Sequence, residues 1–75
     1  MNETNKKADL IPLGKRIRDL RLSSDLTQES LAERAGIDRT YLGGVERGER
    51  NIAFLNLTLI AEAFGISLSE LLKEI

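Results

Sequence analysis

Helix-start and helix-stop residues follow one another at short intervals in this chain. Thr27 is a good N-cap residue, and Gly36 is a good C-cap for the helix between them. Asp38 can then begin a further helix that Gly48 would end. No stretch alternates between apolar and polar residues for long enough to indicate a strand. The pattern therefore predicts an all-α fold built from short helices.

Apolar spacing places three more helices, which makes five. Pro12 can occupy a first helical turn, where its missing N–H is not needed, so the first helix is predicted over about residues 11–22. An apolar stripe that ends at Gly65 predicts the fourth helix. Ser67 opens an S-x-x-E capping box for a fifth, SLSELLKEI. The residues expected to face the core are Leu13, Ile17, Leu20, Leu31, Ala32, Leu42, Val45, Phe54, Leu57, Ile60, Ala61 and Phe64.

The size of the chain indicates one domain. It has 75 residues, of which 41% are hydrophobic and 31% are charged. Residues 1–8 are polar and without periodicity, so we predict a flexible tail there and a folded domain over residues 9–75. No apolar run is long enough to cross a membrane and no signal-peptide pattern opens the chain, which favours the cytoplasm.

The chain contains no cysteine and no histidine. Disulfides and the usual structural zinc sites are therefore excluded, and there is no thiol nucleophile or imidazole base. The Gly43-Gly44 pair follows no strand and lacks the spacing of a phosphate-binding loop. We therefore expect no enzyme activity, no cofactor and no metal.

The balance of charge argues against binding polyanions through overall charge. The net charge is −1 and the isoelectric point is about 5.4, whereas nucleic-acid-binding domains are typically basic. All basic residues except Lys73, however, lie at or before Arg50. Any nucleic-acid surface must therefore be a local patch.

The second and third predicted helices form the most informative segment. Only a few residues around Gly36 separate them, which fits a helix-turn-helix but also occurs in many small bundles. The run LTQESLAERAGIDRTYLGGVERGER resembles the helix-turn-helix of the Cro/lambda-repressor-like family of transcription regulators. The flanking RIRDLR, LxxIAEAFGIS and SLSELL segments extend the resemblance over about residues 13–72. Locally, IDRTYLGGVERGERN is most similar to the controller proteins of restriction–modification systems.

The resemblance implies a five-helix lambda-repressor-like domain that binds a palindromic or pseudo-palindromic double-stranded DNA operator as a homodimer. It also implies control of a restriction–modification operon, RNA polymerase as a further partner, and no small-molecule ligand or membrane. Regulation would then depend on protein concentration through dimerisation. A phage-type or chromosomal repressor, or an antitoxin-like or coactivator-like protein-interaction module on the same fold, remains the alternative. The operator, and the choice between activation and repression, do not follow from the sequence.

The third predicted helix carries the expected DNA contacts. With Leu42 and Val45 facing the core, its outer face and N-terminal end are directed to DNA, where an arginine can donate two hydrogen bonds to guanine. The expected base contacts are Arg39, Thr40, Tyr41, Gly43, Gly44 and Arg50, and Tyr41 can instead reach a phosphate. The expected phosphate contacts are Thr27, Gln28, Arg47 and Asn51. For each arginine the alternative is a solvated surface charge.

Two adjacent glycines inside this helix require an explanation. Gly43 and Gly44 should each cost about 1 kcal/mol relative to alanine. The helical phase puts both on the outer side, where a flat surface would let the helix approach base edges closely. The alternative is a locally loosened helix without functional consequence. Gly44→Gln is expected to stabilise the free helix and to weaken or redirect operator binding.

Two further features concern packing and assembly. The resemblance implies a buried ion pair between Arg21 and Glu46 that holds the third helix on the first. Apolar residues beyond those that one core needs indicate a dimer interface on the last two helices. The expected interface residues are Leu55, Leu59, Leu72 and Ile75. Alternatively, these residues are scattered over the surface or covered by the N-terminal tail.

Overall fold

The computed structural model describes the backbone of residues 5–75 and the side chains of residues 10–75. Within these residues the chain forms helices and no strand. The helices are α1 (Asn5–Ser23), α2 (Gln28–Ala35), α3 (Arg39–Glu46), α4 (Phe54–Phe64) and α5 (Leu68–Leu71). The all-α prediction with five helices is thus confirmed for the described part of the chain.

Helix α1 begins earlier than predicted. It starts at Asn5 and has Pro12 in its interior, whereas the sequence indicated a start near residue 11. A proline removes one backbone donor, and the preceding Lys and Ala residues have high helix propensity, so the helix extends past Pro12 toward the N-terminus. Residues 5–8 are therefore helical instead of belonging to a flexible tail, and residues 1–4 of that predicted tail lie outside the described residues.

The caps around α2 and α3 agree with the sequence. Thr27 accepts a hydrogen bond from the backbone N–H of Ser30 at 3.0 Å, and Gly36 ends α2 in the left-handed conformation with φ of 73°. Asp38 accepts a hydrogen bond from the backbone N–H of Tyr41 at 2.9 Å. The two helices are consequently separated by a three-residue corner, residues 36–38.

The core lies where α2 meets α3 and α4, with α1 against α3 and α5 against α4. Its fully buried members are Ile17, Leu31, Leu42, Val45, Ile60 and Leu71, and the smaller Ala32, Ala35, Leu57 and Ala61 complete it. Phe54 was expected in this core, but 70% of it is exposed. It is the first residue of α4, one turn before Leu57, and the residues on either side of it, Ala53 and Leu55, are exposed as well.

Helix α5 is shorter than predicted. Ser67 caps it by accepting a hydrogen bond from the Glu70 N–H at 3.0 Å, but the helix ends at Leu71 and not at residue 75. Arg16 of α1 donates to the carbonyls of Glu70 and Leu71, at 2.7 and 3.0 Å. The Arg16 side chain, which is distant in sequence, thus satisfies carbonyls that a longer helix would use for its own hydrogen bonds. The turn after α5 has Glu74 in a left-handed conformation, with φ of 68°.

Helices α1 and α3 cross at Gly14. A β-carbon on this glycine would lie 2.3 Å from the carbonyl oxygen of Val45 and 2.6 Å from that of Glu46. Only glycine therefore permits this closeness between the two backbones. None of the helices described between residues 5 and 75 has the length and apolarity needed to cross a bilayer.

Candidate nucleic-acid interface

The N-terminal turn of α3 projects from the molecule. Arg39 and Thr40 are exposed there, while Leu42 and Val45 on the opposite side are buried in the core. Because Asp38 caps the helix and the two apolar residues anchor it, the direction of the exposed turn is fixed by the fold. The structure therefore presents the first two expected base-contacting residues side by side at one helix end.

The N-terminal ends of α2 and α3 border the same open depression, which has a volume of about 660 Å³. Its lining residues are Arg21, Leu22, Leu26, Thr27, Gln28, Glu29 and Arg39. Two of the expected phosphate contacts and one expected base contact thus lie on one side of the molecule. Arg39 supplies positive charge to this depression and Glu29 supplies negative charge, whereas the charge of Arg21 is balanced by Glu46.

Thr27 has its side chain committed to the cap of α2. Its hydroxyl accepts from the Ser30 N–H, and the Ser30 hydroxyl accepts from the Thr27 N–H at 2.9 Å, which completes a reciprocal capping box. What α2 can offer an anion is therefore the first-turn backbone N–H groups that have no partner within the helix, at the positive end of the helix dipole. The serine partner in this box was not anticipated from the sequence.

Arg21 and Glu46 meet in a buried two-point ion pair. The Arg21 Nε and Nη2 atoms donate to the two carboxylate oxygens of Glu46 at 2.7 and 3.0 Å. The residues are only 8% and 7% exposed, and Arg21 donates a further bond to the Leu26 carbonyl at 2.9 Å. The pair joins the end of α1 to the last turn of α3, so the carboxylate on α3 is neutralised before any phosphate approaches.

Gln28 is tied to this ion pair. Its amide nitrogen donates to Glu46 Oε1 at 3.0 Å, so Glu46 accepts from both α1 and α2. The amide has a second N–H, which leaves one side-chain donor for a phosphate. The residue expected to bind phosphate therefore also holds α2 against α3.

The expectation of a bare outer surface at Gly43 and Gly44 is wrong, because both glycines are buried. The chain after α3 turns back, with the backbone N–H of Glu49 bonded to the Gly44 carbonyl at 2.8 Å. This return lays the Arg50 side chain over Gly44, while the tips of Arg47 and Gln28 lie nearest to Gly43. Both glycines do lie on the side of α3 that was predicted, but side chains from the following loop and from α2 cover that side of the helix.

Arg50 extends from the loop along the outer side of α3. Its guanidinium carbon lies 5.2 Å from the centroid of the Tyr41 ring, within the range of a cation–π contact. The Tyr41 hydroxyl in turn accepts a hydrogen bond from the Asn56 amide of α4 at 3.2 Å. The two expected DNA-contacting residues are thus in contact with each other, which the sequence did not indicate.

The remaining expected phosphate contacts follow α3. Arg47 is exposed and forms an ion pair with Glu49, Nε to Oε1 at 3.1 Å. Asn51 is exposed in the loop before α4. Arg47 would have to exchange an exposed glutamate for a phosphate, and such surface pairs are weak enough to allow that exchange.

Exposed apolar residues occur at the start of α4 and after α5. Leu55 is 66% exposed at the start of α4, and Leu72 and Ile75 after α5 are exposed as well. Leu59 is different, since it is half-buried and packs against the core. Phe54, beside Leu55, is an exposed apolar residue that the sequence placed in the core.

Comparison with known proteins places this geometry in a family. The helix-turn-helix family matches residues 17–71, which include all of α2, α3, α4 and α5. The control protein C.MunI of Mycoplasma sp is 42% identical over 66 residues, which are 87% of this chain and 89% of the relative. The chain belongs to the helix-turn-helix controller proteins.

Solved structures of this controller family have the same fold. The restriction–modification controller protein C.AhdI from Aeromonas hydrophila is 48% identical, with a TM-score of 0.83 over 85% of this chain and 97% of that chain. C.Esp1396I, solved as a tetramer in complex with its natural 35 base-pair operator, is 35% identical, with a TM-score of 0.77 over 83% of this chain and 82% of that chain. The five-helix fold and the assignment to restriction–modification controllers are thereby established.

Proposed function

We propose that this protein is a sequence-specific DNA-binding transcription regulator that binds a two-fold symmetric operator as a homodimer. Its target is a restriction–modification operon, as membership of the controller family suggests. The observation that carries the proposal is the exposed turn of Arg39 and Thr40, held in a fixed direction by the capped and anchored helix α3. It acts in the cytoplasm, without enzyme activity or a cofactor.

Sequence is read by α3 in the major groove. In helix-turn-helix docking, the N-terminal residues of the second helix meet the base edges. The guanidinium of Arg39 donates two hydrogen bonds to O6 and N7 of a guanine, which is worth about 1–3 kcal/mol of discrimination against another base. Thr40 offers its hydroxyl to a base and its methyl group to a thymine.

Affinity comes from phosphate contacts on both sides of the groove. The first-turn N–H groups of α2, with the second amide hydrogen of Gln28, bind one phosphate. Arg47 and Asn51 bind a second phosphate. To do so, Arg47 gives up its weak ion pair with Glu49, and Asn51 gives up its contact with solvent. With a net charge of −1, one subunit has a small electrostatic footprint, so that a second copy on the operator is needed for tight binding.

The dimer interface is the apolar surface made by Leu55, Leu72 and Ile75, to which Phe54 is now added. A two-fold axis there places two copies of α3 in half-sites about one DNA turn apart. Operator occupancy then follows protein concentration through the dimerisation equilibrium. Bound controller contacts RNA polymerase when the operator lies beside a promoter.

Fluorescence anisotropy with the DNA upstream of the protein's own coding region tests this function. Wild type should prefer this fragment to random DNA, with affinity that falls steeply with salt. Arg39→Ala should lose about ten-fold or more of that preference, since it removes a two-point base contact. Arg34→Ala makes the same change in the exposed last turn of α2, at the opposite end from Gln28, and should leave the preference unchanged. Equal binding to operator and random DNA by wild type would reject the regulator and favour a protein-interaction module.

A further inference from the structure

We propose that α3 itself holds Arg50, one of the expected base contacts, in position along its outer side. Gly44 leaves the space in which the Arg50 side chain lies, and the Tyr41 ring is the platform on which its guanidinium rests. In this arrangement Tyr41 is a positioning residue that acts through Arg50. The DNA-reading part of the proposal rests on the proposed function, whereas the arrangement itself can be tested without DNA.

The backbone brings Arg50 to the middle of α3. After the helix, Gly48 adopts a left-handed conformation with φ of 76°, which reverses the chain. The backbone N–H groups of Glu49 and Arg50 then both point to the Gly44 carbonyl, at 2.8 and 3.3 Å. The start of the Arg50 side chain is therefore fixed next to Gly44 by backbone bonds, not by its own flexible torsions.

The absence of a side chain at Gly44 gives Arg50 its path. A β-carbon on Gly44 would lie 2.5 Å from Arg50 Cγ, 3.5 Å from Cδ and 3.6 Å from Cβ. The contact at Cγ is too short for any real pair of carbons, so a side chain at this position would displace Arg50. Gly43 is different, because a β-carbon there would meet the end of Arg47 at 3.2 Å and of Gln28 at 3.4 Å. Those flexible ends can move aside, which makes Gly43 a matched control.

The Tyr41 ring supplies the far end of the path. Tyr41 and Gly44 are three positions apart and so share one side of the helix. The guanidinium carbon of Arg50 lies 5.2 Å from the ring centroid, and Asn56 holds the ring by donating to its hydroxyl at 3.2 Å. Gly44 and Tyr41 thus form a groove and a platform that α4 steadies from behind.

This path moves positive charge from a loop to the recognition helix. The Arg50 guanidinium ends beside the first turn of α3, which also carries Arg39 and Thr40. A guanidinium that contacts a ring through its face keeps its N–H edges able to donate to a guanine edge. The second of the two glycines is therefore explained by an arginine outside the helix, and not by close approach of the helix to DNA.

The first test uses the free protein and nuclear magnetic resonance. A contact with the Tyr41 ring should shift the Arg50 side-chain protons upfield. The rings of Phe54 and Phe64 can cause such shifts as well, so loss of the shift in Tyr41→Leu is what assigns it to Tyr41. The shift should be present in wild type and in Gly43→Ala, and lost in Gly44→Ala and Tyr41→Leu. Circular dichroism establishes that each variant is folded. A wild-type protein without the shift, or a Gly44→Ala protein that retains it, overturns the arrangement whatever the protein binds.

The second test measures the ratio of operator affinity to random-DNA affinity. Arg50→Ala should lower this ratio about ten-fold, as expected for a lost base contact. Gly44→Ala and Tyr41→Leu should each lower it about two- to five-fold, the factor that an exposed cation–π contact is worth. Tyr41→Phe keeps the ring but loses the hydroxyl that accepts from Asn56, so it should lower the ratio less than Tyr41→Leu does. In the Arg50→Ala background, Gly44→Ala should add nothing, because the residue that it displaces is already gone.

The outcomes separate this proposal from the proposed function. If Arg50→Ala weakens operator and random DNA equally, Arg50 is a phosphate contact and its reading role is overturned, while the regulator stands. If Gly44→Ala and Arg50→Ala add fully, the two residues act independently and the groove is overturned. If wild type itself does not prefer its operator, the proposed function fails, and the resonance test still decides the arrangement in the free protein.

Discussion

Removing the buried carboxylate of Glu46 should cost more stability than any surface change in this domain. It accepts three hydrogen bonds, two from Arg21 and one from Gln28, at 2.7 to 3.0 Å. Glu46→Ala leaves Arg21, a residue that is only 8% exposed, with the Leu26 carbonyl as the remaining partner of its guanidinium. Stranding a buried charge in this way costs about 3–5 kcal/mol. A domain of this size has about 4–11 kcal/mol in total, so this loss is at least about a quarter of the stability and, at the low end of that range, all of it.

Urea unfolding followed by circular dichroism measures this loss. Glu49→Ala is the control, since it removes the same group from an ion pair with Arg47 whose glutamate is 61% exposed, and it should cost less than about 1 kcal/mol. The double variant Arg21→Met/Glu46→Leu removes both charges and should recover most of the loss. If Glu46→Ala unfolds within about 1 kcal/mol of wild type, the buried pair does not hold α3 on α1 and the reasoning fails.

Three more predictions concern packing, pH and assembly. Gly14→Ala should lower the free energy of unfolding in urea by at least about 1–3 kcal/mol, because its methyl group would lie 2.3 and 2.6 Å from backbone oxygens. Gly36→Ala is the control, since only the φ of 73° opposes that change. An equal loss in both variants would show that the close contact at Gly14 has no special effect. The hydrogen bond from Lys15 lowers the pKa of Asp19. The pair therefore stabilises the fold at pH values above the ordinary aspartate pKa, and this contribution is lost as the pH falls through the lowered pKa. Lys15→Ala should raise the pKa of Asp19 in a carboxyl carbon NMR titration, and an unchanged pKa would contradict the assignment. Leu55→Glu should shift the protein toward monomer in sedimentation equilibrium while leaving its helix content unchanged, and an unaltered dimer would place the interface elsewhere.

Local chemistry made the helix caps predictable. Thr27, Gly36 and Asp38 satisfy backbone groups within three or four residues of themselves, so a reader of the sequence has all partners in view. Helix ends that depend on distant residues were not predictable. Arg16 lies far along the chain from the α5 carbonyls to which it donates, and no spacing pattern signals that contact.

The glycines at the candidate site likewise have one feature that follows from the local sequence and one that depends on distant residues. Helical phase placed Gly43 and Gly44 on the outer side of α3, but the loop that folds back over them is a tertiary feature. Gly14 was missed because a single glycine in a helical pattern gives no sign of the helix that crosses it. The Arg21–Glu46 pair came from family resemblance, since nothing in the spacing of two charges so far apart reveals that they meet.

The double use of Glu46 has a consequence for how operators are chosen. Because Arg21 and Gln28 bind the same carboxylate, the N-terminal ends of α2 and α3 cannot adjust independently. The ordering entropy of this surface is lost during folding, so little of it is lost again on association. When the protein surface is rigid, the DNA duplex has to deform to fit it. We therefore expect the untouched base steps between half-sites to influence affinity through their flexibility, with easily deformed pyrimidine–purine steps preferred there.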